Sequence, residues 1–257
     1  MTDPEPSGLG AFAQLRLAAS FLTRLPMANV PAAPLSSAAA AFPVVGALVG
    51  AASAAIYAGA SFAGLPPILA ALLAVLASIL ATGALHEDGL ADFADASGAR
   101  TLEKRLAIMR DSRIGAFGTL ALIFSVGLRA SAIAAIGAPD TVALALIASG
   151  AVSRAAIVHA MQALPFAREG GLAQLAGRPR ATGARIALLL GVVAALPLGI
   201  LGAALALAFA AAATLYVCTA ARRLLGGQTG DVLGSVQQIS EIAILLAILI
   251  AMNFNEG

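Results

Sequence analysis

The residues best suited to chemistry lie in His86-Glu-Asp-Gly-Leu-Ala-Asp-Phe-Ala-Asp95. Asp88, Asp92 and Asp95 are spaced four and three apart. At about 100° per residue on a helix they fall within one narrow stripe. Like charges on one stripe repel, destabilising an isolated helix by roughly a few tenths of a kcal/mol per pair. A divalent cation reverses that sign. Mg²⁺ suits such a stripe, because it takes hard oxygen ligands and keeps waters or substrate phosphates in its shell. Glu87 stands beside the stripe as a further oxygen donor. The bland alternative is a solvated helix end with chance acids. Against it, six of the 13 acidic residues crowd into the stretch 87–111. His86 could serve as a ligand, a base or an interfacial cap, and the ligand role is the weakest of the three because oxygen suits Mg²⁺ better than imidazole.

Two further blocks could complete a site. In Met109-Arg-Asp-Ser-Arg-Ile-Gly115, Arg110 and Arg113 follow a short amphipathic segment. They either pair with the acids or bind phosphate oxygens, for which the guanidinium fork is well shaped. In Gly226-Gly-Gln-Thr-Gly-Asp231, Gly227 would let the backbone approach an anion. Gln228 and Thr229 would donate to its oxygens, and Asp231 would complete a metal site. The competing reading makes the glycines a helix C-cap and Asp231 the N-cap of the next helix. Arg129, Arg154 and Glu241 fall within apolar stretches, where charge is costly and faces a cavity or a partner. Arg154 is near enough to one membrane face to reach a site there. Arg129 is deeper and suits a structural partnership with Glu241.

The elements that must position these residues are transmembrane helices. Hydrophobic residues make up 60% of the 257 and charged residues 11%, less than half the usual share of a soluble domain. A span needs roughly 20 apolar residues. The expected architecture is all-α: one integral membrane domain over 1–257, a polytopic bundle of about seven spans over 38–252. An N-terminal interfacial helix at 9–25 precedes it, carrying Arg16 and Arg24 and ending at Pro26. The spans are expected near 38–62, 67–85, 115–136, 141–163, two within 184–221 joined at Pro197–Gly199, and 233–252. Gly46 and Gly50 form a GxxxG in the first, for which chance in a Gly- and Ala-rich chain is the default explanation.

Every Lys or Arg outside the spans lies in the N-terminal segment or in the loops 86–113, 164–183 and 222–231. Basic loops stay in the cytoplasm, so the N-terminus and the acid cluster are expected inside and the C-terminus outside. Fourteen of the 15 basic residues are Arg, a skew that codon bias alone would also produce. Cys218 is the single cysteine, so an internal disulfide is impossible.

Several blocks resemble the cobalamin synthase family, the membrane enzymes also called adenosylcobinamide-GDP ribazoletransferases. They are Phe21-Leu-Thr-Arg-Leu-Pro26, Phe42-Pro-Val-Val-Gly46, His86-x-Asp-Gly-Leu-Ala-Asp92 with Asp95, Met109-Arg-Asp-Ser-Arg-x-Gly115, Ala151-Val-Ser-Arg154, Ala167-Arg-Glu-Gly-Gly-Leu172 and Gly226-Gly-Gln-Thr-Gly-Asp231, with Glu241 beyond. They occur in family order over nearly the whole chain. Asp95 is followed by Ala-Ser-Gly where Gly is expected directly. The resemblance implies transfer between adenosylcobinamide-GDP and α-ribazole (or its 5′-phosphate), with Mg²⁺ and release of GMP, at the inner membrane. It implies a catalytic set of His86, Asp88, Asp92, Asp95 and Asp231. Substrate contacts are implied for Arg24, Arg110, Arg113, Arg154, Arg168, Gly227, Gln228 and Thr229. No nucleic-acid partner is expected, and homo-oligomerisation is left open. A CDP-alcohol phosphotransferase with a lipid acceptor is the nearest rival, but Gly89-Leu-Ala is followed here by Asp92, not by Ala-Arg. A transporter would place its charges near the midplane.

Overall fold

The computed structural model describes residues 9–168 and 170–255. Eleven α-helices occur among them: α1 (Ala11–Leu22), α2 (Phe42–Phe62), α3 (Pro67–Thr82), α4 (Leu85–Ser97), α5 (Leu102–Ile108), α6 (Ala116–Ile136), α7 (Pro139–Ala163), α8 (Leu172–Ala176), α9 (Ala181–Ala195), α10 (Gly199–Leu225) and α11 (Gly230–Asn255). The protein is an all-helical, multi-pass membrane protein. Leu72, Leu76 and Leu80 on α3 and Leu215 and Tyr216 on α10 lie on the outer surface, an apolar exterior that lipid accommodates and water does not.

Five runs are long and apolar enough to cross a bilayer, or six if the bent pair α3 and α4 makes one. That count takes Ala181–Leu225 as a single run of 45 residues. Both its ends nevertheless sit beside the C-terminal end of α7. Arg178 donates to the Leu164 carbonyl at 3.0 Å, and Arg222 donates to the Ala163 carbonyl at 2.7 Å. The run therefore doubles back at Leu196–Leu198, a short 3₁₀ turn ended by Gly199 at φ 76°, as expected from Pro197 and Gly199. Its first arm, α9, has 15 residues and α3 has 16, both short of an ordinary span.

α7 is the central post, flanked by α2, α9 and α11. The Gly46–Gly50 pair is no accident of composition. A Cβ on Gly46 would stand 2.1 Å from the Gly150 carbonyl oxygen, and one on Gly50 would stand 2.2 Å from that of Leu146. The glycines bring α2 and α7 into backbone contact, the close packing by which helices associate in lipid. α1 is the expected short amphipathic helix. It buries Leu17, Ala18, Ala19 and Leu22 against the 3₁₀ turn Leu35–Ala41 that leads into α2.

α3 and α4 meet at 91°. The elbow is two consecutive left-handed residues, Gly83 at φ 65° and Ala84 at φ 58°; for alanine that conformation costs roughly 1–2 kcal/mol. The turn takes α4 out of line with α3 and lays it across α6 and α11. His86 and Glu87 then point inward while Asp88 stays exposed.

Candidate functional site

α4 is held by small residues on one side and by a carboxylate on the other. A Cβ on Gly89 would lie 2.9 Å from Asp231 Cα, and one on Gly234 would lie 3.2 Å from the His86 carbonyl oxygen. The α4 and α11 backbones therefore touch, and Ser235 Oγ donates to the Gly89 carbonyl at 3.2 Å. That contact brings Asp231, at the start of α11, into the field of Asp88 and Asp92. Asp92 responds: its carboxyl is pushed up from 3.8 to about 7, by burial first and then by the charges of Asp231, Asp88 and Asp95. Arg168 is within electrostatic range of Asp231, and its Nη1 is buried with no hydrogen-bond partner among the described residues. Asp88, Asp92, Asp231 and Arg168 are thus the expected site residues that the structure gathers at one place. Among the described residues no three carboxylate, imidazole or thiol groups stand close enough to hold a metal ion by themselves.

Other expected site residues are engaged elsewhere. Asp95 spends one oxygen on each of two amides: Oδ2 accepts from Gly115 N at 2.7 Å, and Oδ1 from Gly118 N at 2.8 Å. It caps α6, where a carboxylate is favoured by the helix dipole. Its remaining lone pairs are all it can offer a cation. Glu87 is turned away from the stripe, being 100° around the helix from Asp88. Its Oε1 accepts from Arg129 and from Gln238, each at 3.0 Å. Arg154 is buried and donates to Glu241 Oε2 at 3.1 Å, so it does not present itself to a substrate. Arg129 finds Glu87 at 3.0 Å and Glu241 only at 3.7 Å. Arg113 pairs with Asp111 at 2.6 Å on a side chain 87% exposed, not with the acid stripe; the guanidinium donors hold the Asp111 carboxyl below its ordinary range.

The 226–231 loop divides between the two expectations. Gly226, at φ 76°, is the C-cap of α10. A Cβ on Gly227 would stand 2.2 Å from the Pro165 carbonyl oxygen, so its openness admits the 165–167 segment. Gln228 N donates to Pro165 O at 2.7 Å, and Ala167 N donates to Gln228 O at 3.0 Å. The Gln228 amide donates to the Met161 and Leu164 carbonyls at 3.0 and 2.9 Å, satisfying the orphan end of α7. Thr229, not Asp231, caps α11: its Oγ1 accepts from Val232 N at 3.2 Å and donates to Asp231 Oδ2 at 3.2 Å. The loop is a clamp that places Asp231, and Asp231 alone of its members turns to the acids.

His86 is buried, and burial first and then the positive charges of Arg154 and Arg129 push its imidazole well below its ordinary range. Arg24 lies over the elbow, where a Cβ on Gly83 would meet its Nε at 2.1 Å. Arg110 is exposed beside the site loops. Sequence reasoning missed Gln237 and Gln238, which link the two ion pairs: Gln237 donates to Glu241, and Gln238 donates to Glu87 and to Gln237. Two adjacent glutamines inside a span were the available signal.

A helical membrane bundle with an acid cluster at the face that carries its basic loops is the class these features define. Residues 14–249 match the family described as Cobalamin-5-phosphate synthase, and the chain belongs to that family. An adenosylcobinamide-GDP ribazoletransferase of Bradyrhizobium diazoefficiens is 49% identical over 239 residues, covering 91% of this chain and 92% of the relative. One from Azorhizobium caulinodans is 46% identical, covering 82% and 83%, and one from a Sinorhizobium species is 41% identical, covering 90% and 94%. No solved structure matches the chain. Family membership sets aside the lipid-acceptor and transporter alternatives.

Proposed function

We propose that this protein is itself an adenosylcobinamide-GDP ribazoletransferase. It joins adenosylcobinamide-GDP to α-ribazole, or to α-ribazole 5′-phosphate, and releases GMP, closing the assembly of adenosylcobalamin or its 5′-phosphate. The family match carries the reading, and the crowding of the Asp88, Asp92 and Asp231 carboxylates supports it. In the reaction an α-ribazole hydroxyl oxygen forms a bond to the cobinamide-side phosphorus. The bond from that phosphorus to the GMP phosphate breaks, GMP leaves with the electron pair, and the hydroxyl proton passes to solvent.

The donor set suits Mg²⁺, because Asp88, Asp92 and Asp231 offer hard oxygens, and the carboxyls of Asp92 and Asp231 are raised by burial and then by acidic neighbours. Since no three such groups among the described residues stand close enough to hold an ion by themselves, these carboxylates would hold it only together with water and substrate phosphate oxygens. When bound, it supplies neutralisation of pyrophosphate charge and of the departing phosphate. The chain's own work is positioning. Arg168, whose Nη1 has no hydrogen-bond partner among the described residues, and the exposed Arg110 supply fork donors to phosphate. The loop clamp fixes Asp231 opposite α4. The site faces the cytoplasm from the inner membrane, supported by the basic loops gathered on its side. A reporter fused to the C-terminus should then be active only in the periplasm.

The direct test is turnover. Purified protein in nanodiscs, given adenosylcobinamide-GDP, α-ribazole and Mg²⁺, should release GMP one-to-one with corrinoid product. No GMP from folded protein with either form of α-ribazole, or release that does not require α-ribazole, overturns the proposal.

A further inference from the structure

Behind the acid cluster lies a second feature, a small cavity with several charged residues in its lining. Between α2, α3, α4, α6, α7 and α11 is a cavity with about 20 Å³ open to the centre of a water-sized sphere, lined by Ser53, His86, Glu87, Arg129, Arg154 and Glu241 among others. Five buried side-chain polar atoms among the described residues have no hydrogen-bond partner; three of them, Ser53 Oγ, His86 Nε2 and Glu87 Oε2, belong to residues of this cavity. Those residues are only 2%, 2% and 6% exposed. A water molecule needs upward of about 10 Å³ by this measure and two to four polar partners, and the cavity offers both. The charges around it cancel, two carboxylates against two guanidiniums, so a neutral ligand fits and an ion does not.

The same residues join the acid helix to the bundle. Glu87 on α4 accepts from Arg129 of α6 and Gln238 of α11. Gln238 donates to Gln237 Oε1 at 2.8 Å, and Gln237 and Arg154 of α7 both donate to Glu241. Glu87 immediately precedes Asp88, and α4 leaves α3 at a sharp elbow with few contacts to it.

We propose that this cavity is a buried water site and that the charged ring around it is a positioning device, with Glu87 as the joint that aims the acid helix at Asp231. The positioning half rests on the transferase reading above; the water half does not. Removing one charge would strand its partner, so the informative variant is the pair Glu87→Met with Arg129→Met, which leaves Glu241 matched by Arg154. Replacing a buried pair by apolar side chains of similar volume is often tolerated.

Hydrogen exchange by mass spectrometry should show the α4 amides opening at least about tenfold more readily in that variant while α2 and α7 keep wild-type protection. Its kcat should fall about a hundredfold, the cost of slight misplacement of reacting groups, with little change in KM. A folded double variant with wild-type α4 exchange and kcat overturns the positioning role, as does loosening spread evenly over the bundle. Gln238→Met leaves every charge paired and carries the same readouts should the double variant fail to assemble. A high-resolution structure should place water within hydrogen-bond reach of His86 Nε2, Glu87 Oε2 and Ser53 Oγ, and Ser53→Val should expel it. A dry cavity overturns the water site. If wild-type protein shows no transfer, the transferase reading fails, and the exchange and water measurements still decide whether the ring holds α4.

Discussion

At the rim of the site Asp88, Asp92 and Asp231 crowd together with Arg168 as the cation in range. A short step inward Glu87 and Glu241 are matched by Arg129 and Arg154 and bridged by Gln237 and Gln238. The two groups share a helix and a residue type but not an electrostatic condition. Inside, the two carboxylates and two guanidiniums match one another, as burial in low dielectric demands. At the rim negative charge is left over, and the Asp92 carboxyl is pushed up to about 7 by burial first and then by its acidic neighbours. Protein groups satisfied by one another stabilise; groups left unsatisfied at an exposed face are available to something that is not protein.

The comparison is broken most directly at the rim. Asp88→Asn or Asp92→Asn should cut turnover by at least about a thousandfold, ~4 kcal/mol of transition-state stabilisation, with a Tm equal to or above wild type. Raising Mg²⁺ should partly rescue the weaker of them by mass action. Near-normal transfer by both would remove the rim from the chemistry. In the ring the damage should be of the other kind. Arg154→Leu leaves Glu241 with Arg129 at 3.7 Å, and stranding a buried carboxylate in this way costs about 3–5 kcal/mol, read as lost folded yield and lowered Tm. If that variant instead folds normally and shows only a raised KM, Arg154 is a substrate contact.

Asp231 and Thr229 sharpen the same contrast two residues apart. Asp231→Asn should remain folded and transfer at less than about a tenth of the wild-type rate, a loss of more than ~1.4 kcal/mol. Thr229→Ala should do the reverse, losing a helix cap worth about 1 kcal/mol while keeping most activity. The smallest effect concerns pH. Without metal, Asp92 in the folded protein titrates near 7, against an ordinary 3.8. Between those values the folded state binds the extra proton, so metal-free stability should be greatest at the acid end and decline as pH rises through about 7. Partial exposure of the side chain keeps the shift small. Thermal unfolding in chelator from pH 5 to 8 should show the decline, and Asp92→Asn should remove it.

Much of this was legible in the residues themselves. Apolar run lengths located the spans to within a few residues, the 4-and-3 spacing put three aspartates on one stripe, and the placement of arginines gathered the loops on one side. Those inferences need only local periodicity and composition. What the sequence could not decide was which polar side chains were already satisfied. Gln228 has the donors of an anion cradle, but its partners lie 67 and 64 residues earlier in the chain. Glu87 neighbours the acid stripe, but one of its donors stands 151 residues away. The GxxxG of α2 carries meaning only because Gly150 and Leu146 of α7 face it. Hydrogen bonds and backbone contacts act over a few ångströms and in fixed directions, so their partners are set by how the helices rotate and cross. The tertiary structure alone separated the carboxylates paired with guanidiniums inside the bundle from those that crowd one another at its rim.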